Sequence, residues 1–233
     1  MIDTVVFDLD DTLCEYRRSG ADLLSLAFDR VGVEPCFTVE DYYAAFDTHA
    51  APGETVDDIR TRCFASLTGA AGHDPALGRR LAGIYREERD HRDVRFRPGA
   101  SEALDRLGRD HRLGLVTNGG PAMQRQKLDA IGITDAFDTM VFAGYESKPK
   151  PAPEPFHRAL DALAVDRDRA VHVGNSLTAD VAGAHAAGLR SAWVPTGHPP
   201  ETAGPAPHYE LDSLRDLQDP PWRSATGKPG SRP

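Results

Sequence analysis

The amino-acid sequence predicts an α/β protein: a parallel β-sheet covered by helices on both faces, with a helical bundle inserted near the N-terminus. Short apolar strand segments alternate with helical segments from about residue 97 to residue 194. Helical periodicity runs from about residue 19 to residue 91, with no strand signal inside it. A first buried strand at residues 5–7 precedes this helical stretch, so the bundle interrupts the part of the chain that forms the sheet.

Composition and charge exclude several classes of protein. The chain has 233 residues and a net charge of −9, without the basic stripes that phosphate backbones demand, so we expect no nucleic-acid partner. No apolar run approaches the ~20 residues that span a bilayer, and the acidic N-terminal segment differs from a signal peptide. The three cysteines lack C-x-x-C spacing, which indicates a reducing compartment. The sequence therefore predicts a cytoplasmic protein that does not associate with membranes.

The helical insert is predicted to hold four helices. Thr38 is the expected N-cap of the second, because a threonine followed by an acidic residue at the third helical position is typical of a helix start, and Thr55 is expected to start the third. The predicted division of the chain is a core of residues 1–15 and 94–218, an insert of residues 16–93, and a flexible tail of residues 219–233.

The remainder of the chain alternates helix and strand. The predicted helices cover residues 103–107, 121–130, 154–163 and 178–187. The predicted strands cover residues 113–116, 139–142, 170–173 and 191–194. Since these strands are short and apolar throughout, they indicate a parallel sheet that is buried on both faces.

Polar residues follow each predicted strand of this sheet. In open parallel sheets, ligands bind outside the carboxyl ends of the strands. The residues in these positions are Asp8, Asp10, Asp11 and Thr12, then Thr117, Asn118 and Gly119, then Lys148 and Lys150, then Asn175, Ser176 and Asp180. The sequence therefore predicts a polar, charged site at one rim of the sheet.

Asp8 and Asp10 suggest a metal site. Residues two apart on an extended segment point the same way, and two carboxylates so placed repel each other unless a cation lies between them. Hard oxygen ligands suit Mg²⁺, which keeps some of its waters and takes a substrate phosphate as a further ligand. The alternative is that both side chains merely cap the turn between the strand and the next helix.

The segment Thr117-Asn118-Gly119 offers a hydroxyl and backbone N–H groups ahead of a helix, an arrangement that binds anions. A plain helix N-cap is the alternative. Lys150 is a compact positive charge suited to a phosphate oxygen, or else an exposed loop residue. Asp180 lies in the first turn of its helix, from which its side chain can reach back to the rim.

Together these segments resemble the four motifs of the haloacid dehalogenase-like hydrolases. The matching segments are residues 5–13 (VVFDLDDTL), 115–119 (LVTNG), 150–156 (KPAPEPF) and 174–188 (GNSLTADVAGAHAAG). The resemblance spans residues 4–194, in order and at the spacing of the family. It implies a Rossmann-like, doubly wound core with a small helical cap at residues 16–93, which closes over the site and contributes to specificity.

The resemblance also implies a Mg²⁺-dependent phosphatase. Asp8 is then the nucleophile, which forms a phosphoaspartate, and Asp10 is the general acid and base. Asp8, the Asp10 backbone carbonyl, Asn175 and Asp180 are the expected metal ligands. In a separate set, Thr117, Asn118, Gly119 and Lys150 are expected to hold the phosphate, with Thr117 and Lys150 also counted as catalytic. The expected partner is a small phosphorylated metabolite, and the expected state is a monomer or a homodimer.

One position departs from the family pattern. The fourth motif normally reads Gly-Asp, and here it reads Gly174-Asn175, so we expect weaker metal binding and a larger share of it for Asp180. Dehalogenases of the L-2-haloacid type have an asparagine near this position and need no metal, but they lack the second aspartate, which Asp10 supplies here. A phosphosugar mutase or phosphotransferase and a non-catalytic binding protein on the same scaffold are further alternatives.

The residues that follow the second motif give limited information about the substrate. Gln124, Lys127-Leu128 and Gly132-Ile133 follow the second motif and resemble the branch of the family that acts on nucleotides, sugar phosphates and flavin precursors.

Overall fold

The structure is a computed structural model that describes residues 1–49, 55–196 and 204–223. The chain divides into two compact units. One comprises Met1–Glu15 with Val94–Pro233, and the other comprises Tyr16–Asp93. No helix in the described part of the chain is both long enough and apolar enough to cross a membrane.

The first unit is built on a six-stranded parallel sheet in the order β5-β4-β1-β6-β7-β8. The strands are β1 (Thr4–Phe7), β4 (Arg112–Thr117), β5 (Thr139–Phe142), β6 (Ala170–Gly174), β7 (Arg190–Trp193) and β8 (Tyr209–Glu210). Two further strands, β2 (Cys14–Tyr16) and β3 (Val94–Phe96), pair with each other. The chain adds β4 and β5 on one side of β1 and then β6 to β8 on the other. The predicted doubly wound α/β sheet is therefore confirmed.

Helices cover both faces of this sheet. They are α5 (Ala100–Leu107), α6 (Pro121–Ile131), α7 (Glu154–Leu163) and α8 (Ala182–Ala187). Because side chains alternate along a strand, Val5 and Phe7 pack on one face with α5 and α6, whereas Val6 packs on the other with α7 and α8. All three side chains are fully buried, which accounts for the continuous apolar run in the sequence.

The second unit contains four helices: α1 (Gly20–Val31), α2 (Val39–His49), α3 (Val56–Ala70) and α4 (Pro75–Glu88). Thr38 and Thr55 begin α2 and α3 as predicted, because each hydroxyl accepts a backbone N–H bond from the aspartate three residues later. The core of this unit is aromatic, and Phe64 packs edge-on against Phe37, Tyr42 and Tyr85.

Two sequence predictions need correction. The helix predicted at 178–187 is α-helical only from Ala182, since Leu177–Val181 forms a wider π-helical turn. The tail predicted to be flexible from residue 219 begins in the core: Pro220 is buried, and Trp222 packs against Tyr209. A large aromatic side chain gains from burial, which the Pro- and Gly-rich composition around it concealed. Residues 224–233 of that predicted tail lie outside the described residues.

Candidate active site

The three central strands of the sheet bring the predicted site residues to one rim. Phe7 of β1 lies in register with Leu115 of β4 on one side and Val173 of β6 on the other. The segments that begin at Asp8, Thr117 and Gly174 therefore leave the sheet side by side, at the carboxyl ends of parallel strands. This is the position expected for a ligand site in such a fold.

Lys150 lies at the centre of the site. Its Nζ donates to Asp8 Oδ1 (2.7 Å), to Asp180 Oδ1 (2.6 Å) and to the Val116 carbonyl (2.9 Å). These bonds use all three hydrogens of the ammonium group. Lys150 thus contacts both carboxylates and the Val116 carbonyl, and its predicted bond to a phosphate oxygen stays a prediction.

Burial and charge set the protonation behaviour of this cluster. Burial raises the pKa of Asp8 to about 7, and the negative charge of Asp180 adds to the rise while Lys150 opposes it. Burial would also raise the pKa of Asp180, but Lys150 and then the His172 hydrogen bond hold that pKa below its ordinary value. Asp180 is therefore the carboxylate that stays ionised, and Asp8 is the one whose charge is not fully balanced.

Asp180 is fixed by contacts from several directions. Besides Lys150, its Oδ1 faces His172 Nε2 at 3.0 Å, and its Oδ2 accepts the Ser176 backbone N–H at 3.0 Å. A carboxylate only accepts, so His172 carries a proton on Nε2. Gly174 is required here, because a Cβ at this position would lie 2.3 Å from Asp180 Cγ.

The turn after β1 links the nucleophile candidate to the fourth motif. Thr12 Oγ1 lies 3.0 Å from Asp8 Oδ2 and 3.1 Å from Asn175 Oδ1, so one hydroxyl hydrogen serves two acceptors. Asp11 has a φ of 57°, a left-handed conformation that aspartate tolerates better than most residues. The turn thus places the Asp8 carboxylate and the Asn175 amide oxygen around Thr12.

Asp10 and Thr117 are joined through one side chain of α6. Gln124 Nε2 donates to Asp10 Oδ2 and to Thr117 Oγ1, both at 2.7 Å. Since Thr117 Oγ1 is an acceptor in this bond, its own hydrogen is left to donate elsewhere. Lys127 Nζ lies 2.5 Å from the other carboxylate oxygen of Asp10.

Asn118 fixes the Lys150 segment. Its Oδ1 accepts the Lys150 backbone N–H at 2.8 Å, and its Nδ2 donates to the Lys150 carbonyl at 3.0 Å. Because this two-way contact uses the amide side chain, the groups of Asn118 and Gly119 that suit an anion are their backbone N–H groups.

The donor set fits a small divalent cation. Two buried carboxylates share one ammonium group, which leaves an unbalanced negative charge at Asp8. Asp8 and Asn175 supply side-chain oxygens, and Mg²⁺ needs only one or two carboxylates because it keeps several waters. Both Asp180 oxygens accept hydrogen bonds, as do both Asp8 oxygens, and a larger share of metal binding by Asp180 stays a prediction. Among residues 1–49, 55–196 and 204–223, no three His, Cys, Asp or Glu side chains form a ready-made metal cluster.

Comparison with known families agrees with this arrangement. The sequence model of the haloacid dehalogenase-like hydrolases matches residues 2–188, which is most of the chain. The chain belongs to the haloacid dehalogenase-like hydrolase family. The resemblance drawn from the four motifs is therefore confirmed.

Two curated relatives of this hydrolase are phosphatases. A stretch of 160 residues is 35% identical to phosphoserine phosphatase of Thermus thermophilus and covers 68% of this chain and 64% of the relative. A stretch of 116 residues is 37% identical to N-acylneuraminate-9-phosphatase of Mus musculus and covers 49% of this chain and 47% of the relative. The matched stretches thus span about half to two thirds of the length of these relatives.

Solved structures share the whole fold. The HAD-hydrolase YfnB of Bacillus subtilis, in a crystal structure bound to magnesium, has a TM-score of 0.72 and 25% identity, covering 93% of this chain and 96% of that one. A 2-haloacid dehalogenase of Pseudomonas syringae pv. Tomato has a TM-score of 0.64 and 26% identity, covering 96% of this chain and 99% of that one.

Sequence reasoning missed some of the side chains that complete the site of this hydrolase. His172 lies inside an apolar strand segment, where the sequence alone predicts an ordinary core histidine; the side chain is buried, but it contacts Asp180. Gln124 and Lys127 were noted only for the resemblance to one branch of the family. Their spacing of three residues places both on the buried face of α6 with Leu128, where two polar side chains need polar partners.

Proposed function

We propose that this hydrolase is a Mg²⁺-dependent phosphatase that cleaves a small phosphate monoester through a phosphoaspartate on Asp8. The observation that carries the proposal is the Asp8 carboxylate, buried against Lys150, with a second carboxylate at Asp10 in the same turn. The two curated phosphatase relatives support the same reaction class.

In the first step an Asp8 oxygen attacks phosphorus, and the bond between phosphorus and the ester oxygen breaks. Asp10, protonated at the start, gives its proton to the leaving oxygen, which departs as an alcohol. The Thr12 hydroxyl and the Lys150 ammonium group hold the Asp8 carboxylate in place for this attack.

In the second step water attacks the phosphorus of the phosphoaspartate. Asp10, now a carboxylate, takes a proton from that water, and the bond between phosphorus and Asp8 breaks. Inorganic phosphate leaves, and both aspartates return to their starting states. One residue thus acts as acid and then as base, which explains why two aspartates two positions apart are needed.

Donors on β4 and the following loop suit the phosphoryl oxygens. The hydrogen of Thr117 and the backbone N–H groups of Asn118 and Gly119 are the proposed contacts. Lys150 contributes its positive charge beside Asp8. Asp8, the Asp10 carbonyl, Asn175 and Asp180 would hold a Mg²⁺ ion, which would supply further positive charge to the transferring group.

A panel of phosphorylated metabolites, assayed with Mg²⁺ and with EDTA, tests the proposal. We expect hydrolysis of at least one class of phosphate monoester in Mg²⁺, loss of that activity in EDTA, and no turnover by Asp8→Asn. Near-normal hydrolysis by purified Asp8→Asn contradicts the mechanism.

The second candidate function is dehalogenation, favoured by Asn175 and by the dehalogenase among the structural neighbours. A halide leaves without a proton, so a dehalogenase has no use for Asp10. An alkoxide leaving group needs a proton, which Asp10 can supply in a phosphatase. Halide release from 2-chloropropionate, unaffected by EDTA and without phosphatase activity, would establish this alternative. Phosphoryl transfer to a sugar hydroxyl in place of water would identify a mutase or phosphotransferase. Binding of a phosphorylated metabolite without turnover would identify a non-catalytic binding protein.

A further inference from the structure

Helix α6 holds the carboxylate of Asp10 by both of its oxygens. Lys127 Nζ lies 2.5 Å from Oδ1, and Gln124 Nε2 lies 2.7 Å from Oδ2. Gln124 and Lys127 are three residues apart on the same helical face, so one rigid element carries both donors. The side chain of Asp10 is therefore fixed in position and in rotation about its last bond.

The Lys127 side chain that contacts Asp10 is buried, so its charge depends on polar partners within the protein. The Lys127 side chain is 2% exposed, whereas that of Asp10 is 39% exposed. A buried ammonium group is stable only with polar partners, and Asp10 Oδ1 lies 2.5 Å from the Lys127 Nζ. The pair is thus anchored on the protein side by α6, while Asp10 keeps an exposed edge from which a proton can be passed.

Gln124 connects Asp10 to the phosphate-binding segment. Both hydrogens of its Nε2 are used, one on Asp10 and one on Thr117. The side chain passes so close to Gly119 that a Cβ there would lie 2.2 Å from Nε2. The amide is therefore held in one orientation and keeps Asp10 at a fixed distance from Thr117.

We propose that Lys127 and Gln124 are positioning residues for proton transfer by Asp10. The inference rests on the proposed function, since it assigns a role within that reaction. When Asp10 passes its proton to the ester oxygen, the carboxylate left behind is balanced by Lys127 and aimed by Gln124. Loss of either residue should therefore slow the cleavage of esters whose leaving group needs a proton. It should have less effect on esters whose leaving group departs without one, since the attack of Asp8 on phosphorus does not depend on Asp10.

Leaving groups of different basicity separate these two effects. p-Nitrophenolate leaves readily without a proton, whereas an alkoxide does not, and kcat/KM reports the steps up to the release of the alcohol. The experiment compares kcat/KM for p-nitrophenyl phosphate with that for the best alkyl phosphate of the panel, in wild type, Lys127→Met and Gln124→Met. Lys148→Met is the matched control, because Lys148 is an exposed lysine without a contact to Asp10.

We expect kcat/KM for the alkyl phosphate to fall roughly 10- to 100-fold in both α6 variants, a large part of what general acid catalysis contributes. For p-nitrophenyl phosphate the fall should stay within about threefold, and Lys148→Met should change neither value. Gln124→Met keeps the side-chain length and adds no charge, so it carries the test if Lys127→Met does not fold.

Equal losses for both substrates, or a lower melting temperature with an unchanged substrate ratio, overturn the positioning role and leave Lys127 and Gln124 as structural residues. Failure of the wild-type protein to hydrolyse any phosphate ester is a different result, since it rejects the proposed function itself. The two failures are therefore distinguishable in one set of assays.

Discussion

Asp8 and Asp180 share a single ammonium group, because Lys150 Nζ lies 2.7 Å from Asp8 Oδ1 and 2.6 Å from Asp180 Oδ1. All three side chains are almost completely buried. Two carboxylates and one ammonium group leave a net negative charge in a region of low dielectric constant, where it costs far more than at the surface. Both the stability of the metal-free protein and its attraction for a cation follow from this imbalance.

Removal of the ammonium group should destabilise the protein strongly. In Lys150→Met the two carboxylates lose their partner, and breaking a buried ion pair from one side costs about 3–5 kcal/mol. Equilibrium unfolding in urea, with EDTA present, measures the change in the free energy of unfolding. Lys148→Met is the control, because it removes an exposed lysine from the same loop and should unfold like wild type. Similar midpoints for the two variants would mean that Lys150 does not bind both carboxylates.

The contribution of Asp8 to the stability of the metal-free protein should fall as the pH rises toward neutrality. Burial raises the pKa of Asp8 from an ordinary value of 3.8 to about 7. Between those two values the folded protein holds a proton that the unfolded chain has released, so the stabilisation present below pH 4 is lost as the pH passes 7. Asn cannot ionise, so Asp8→Asn should gain on wild type by on the order of 3 kcal/mol from pH 4 to pH 8.

Melting temperatures of wild type and Asp8→Asn, recorded in EDTA from pH 4 to pH 8, measure that difference. Groups common to both proteins, including His172, contribute equally and cancel. A difference that stays constant over this range would show that Asp8 is ionised throughout. Added Mg²⁺ should reduce the difference, because a cation beside Asp8 favours its ionised form.

Much of the site was predictable because strand ends are visible in the sequence. Asp8, Thr117 and Asn175 were placed correctly at neighbouring strand ends, since apolar runs that end in polar residues mark where parallel strands leave the sheet. The roles assigned to these residues, and the action of Tyr16–Asp93 as a cap, stay predictions. The α/β alternation and two predicted helix starts in the helical unit are confirmed by the structure.

Other features depend on which side chains meet in three dimensions. Nothing in the sequence indicates that His172, in the middle of an apolar strand, reaches Asp180, or that both hydrogens of Gln124 are used at the site. The π-helical turn Leu177–Val181 was also missed, since the sequence does not distinguish it from the first turn of a regular helix. Such contacts become visible only when distant segments are brought together.

Replacement of Asn175 by the aspartate that is usual at this position of the fourth motif should strengthen metal binding and weaken the stability of the metal-free protein. Asn175→Asp adds a negative charge beside Thr12 and Asp8, so the metal-free protein should melt at a lower temperature. The same charge attracts Mg²⁺, and a gain of about 1.4 kcal/mol lowers the half-saturating concentration roughly tenfold. Activity titrated against Mg²⁺ measures this shift. Gln218→Glu, an exposed substitution that adds the same charge, should leave the Mg²⁺ dependence unchanged, and an equal shift in both variants would indicate a general charge effect.

Gly174 and Gly83 differ in the space around them, so alanine substitutions at these two positions can be compared directly. A Cβ on Gly174 would lie 2.3 Å from Asp180 Cγ, so Gly174→Ala must displace the carboxylate from Lys150, His172 and the Ser176 N–H. Overpacking of this kind costs about 1–3 kcal/mol, and phosphatase activity should fall with it, because Lys150 loses a partner and shifts against Asp8. A Cβ on Gly83, within helix α4, meets nothing within 4 Å, so Gly83→Ala should stabilise the protein by about 0.5–1 kcal/mol and leave activity unchanged. Thermal unfolding and phosphatase assays of both variants measure these effects. Full activity in Gly174→Ala would show that the position of Asp180 does not matter for the reaction.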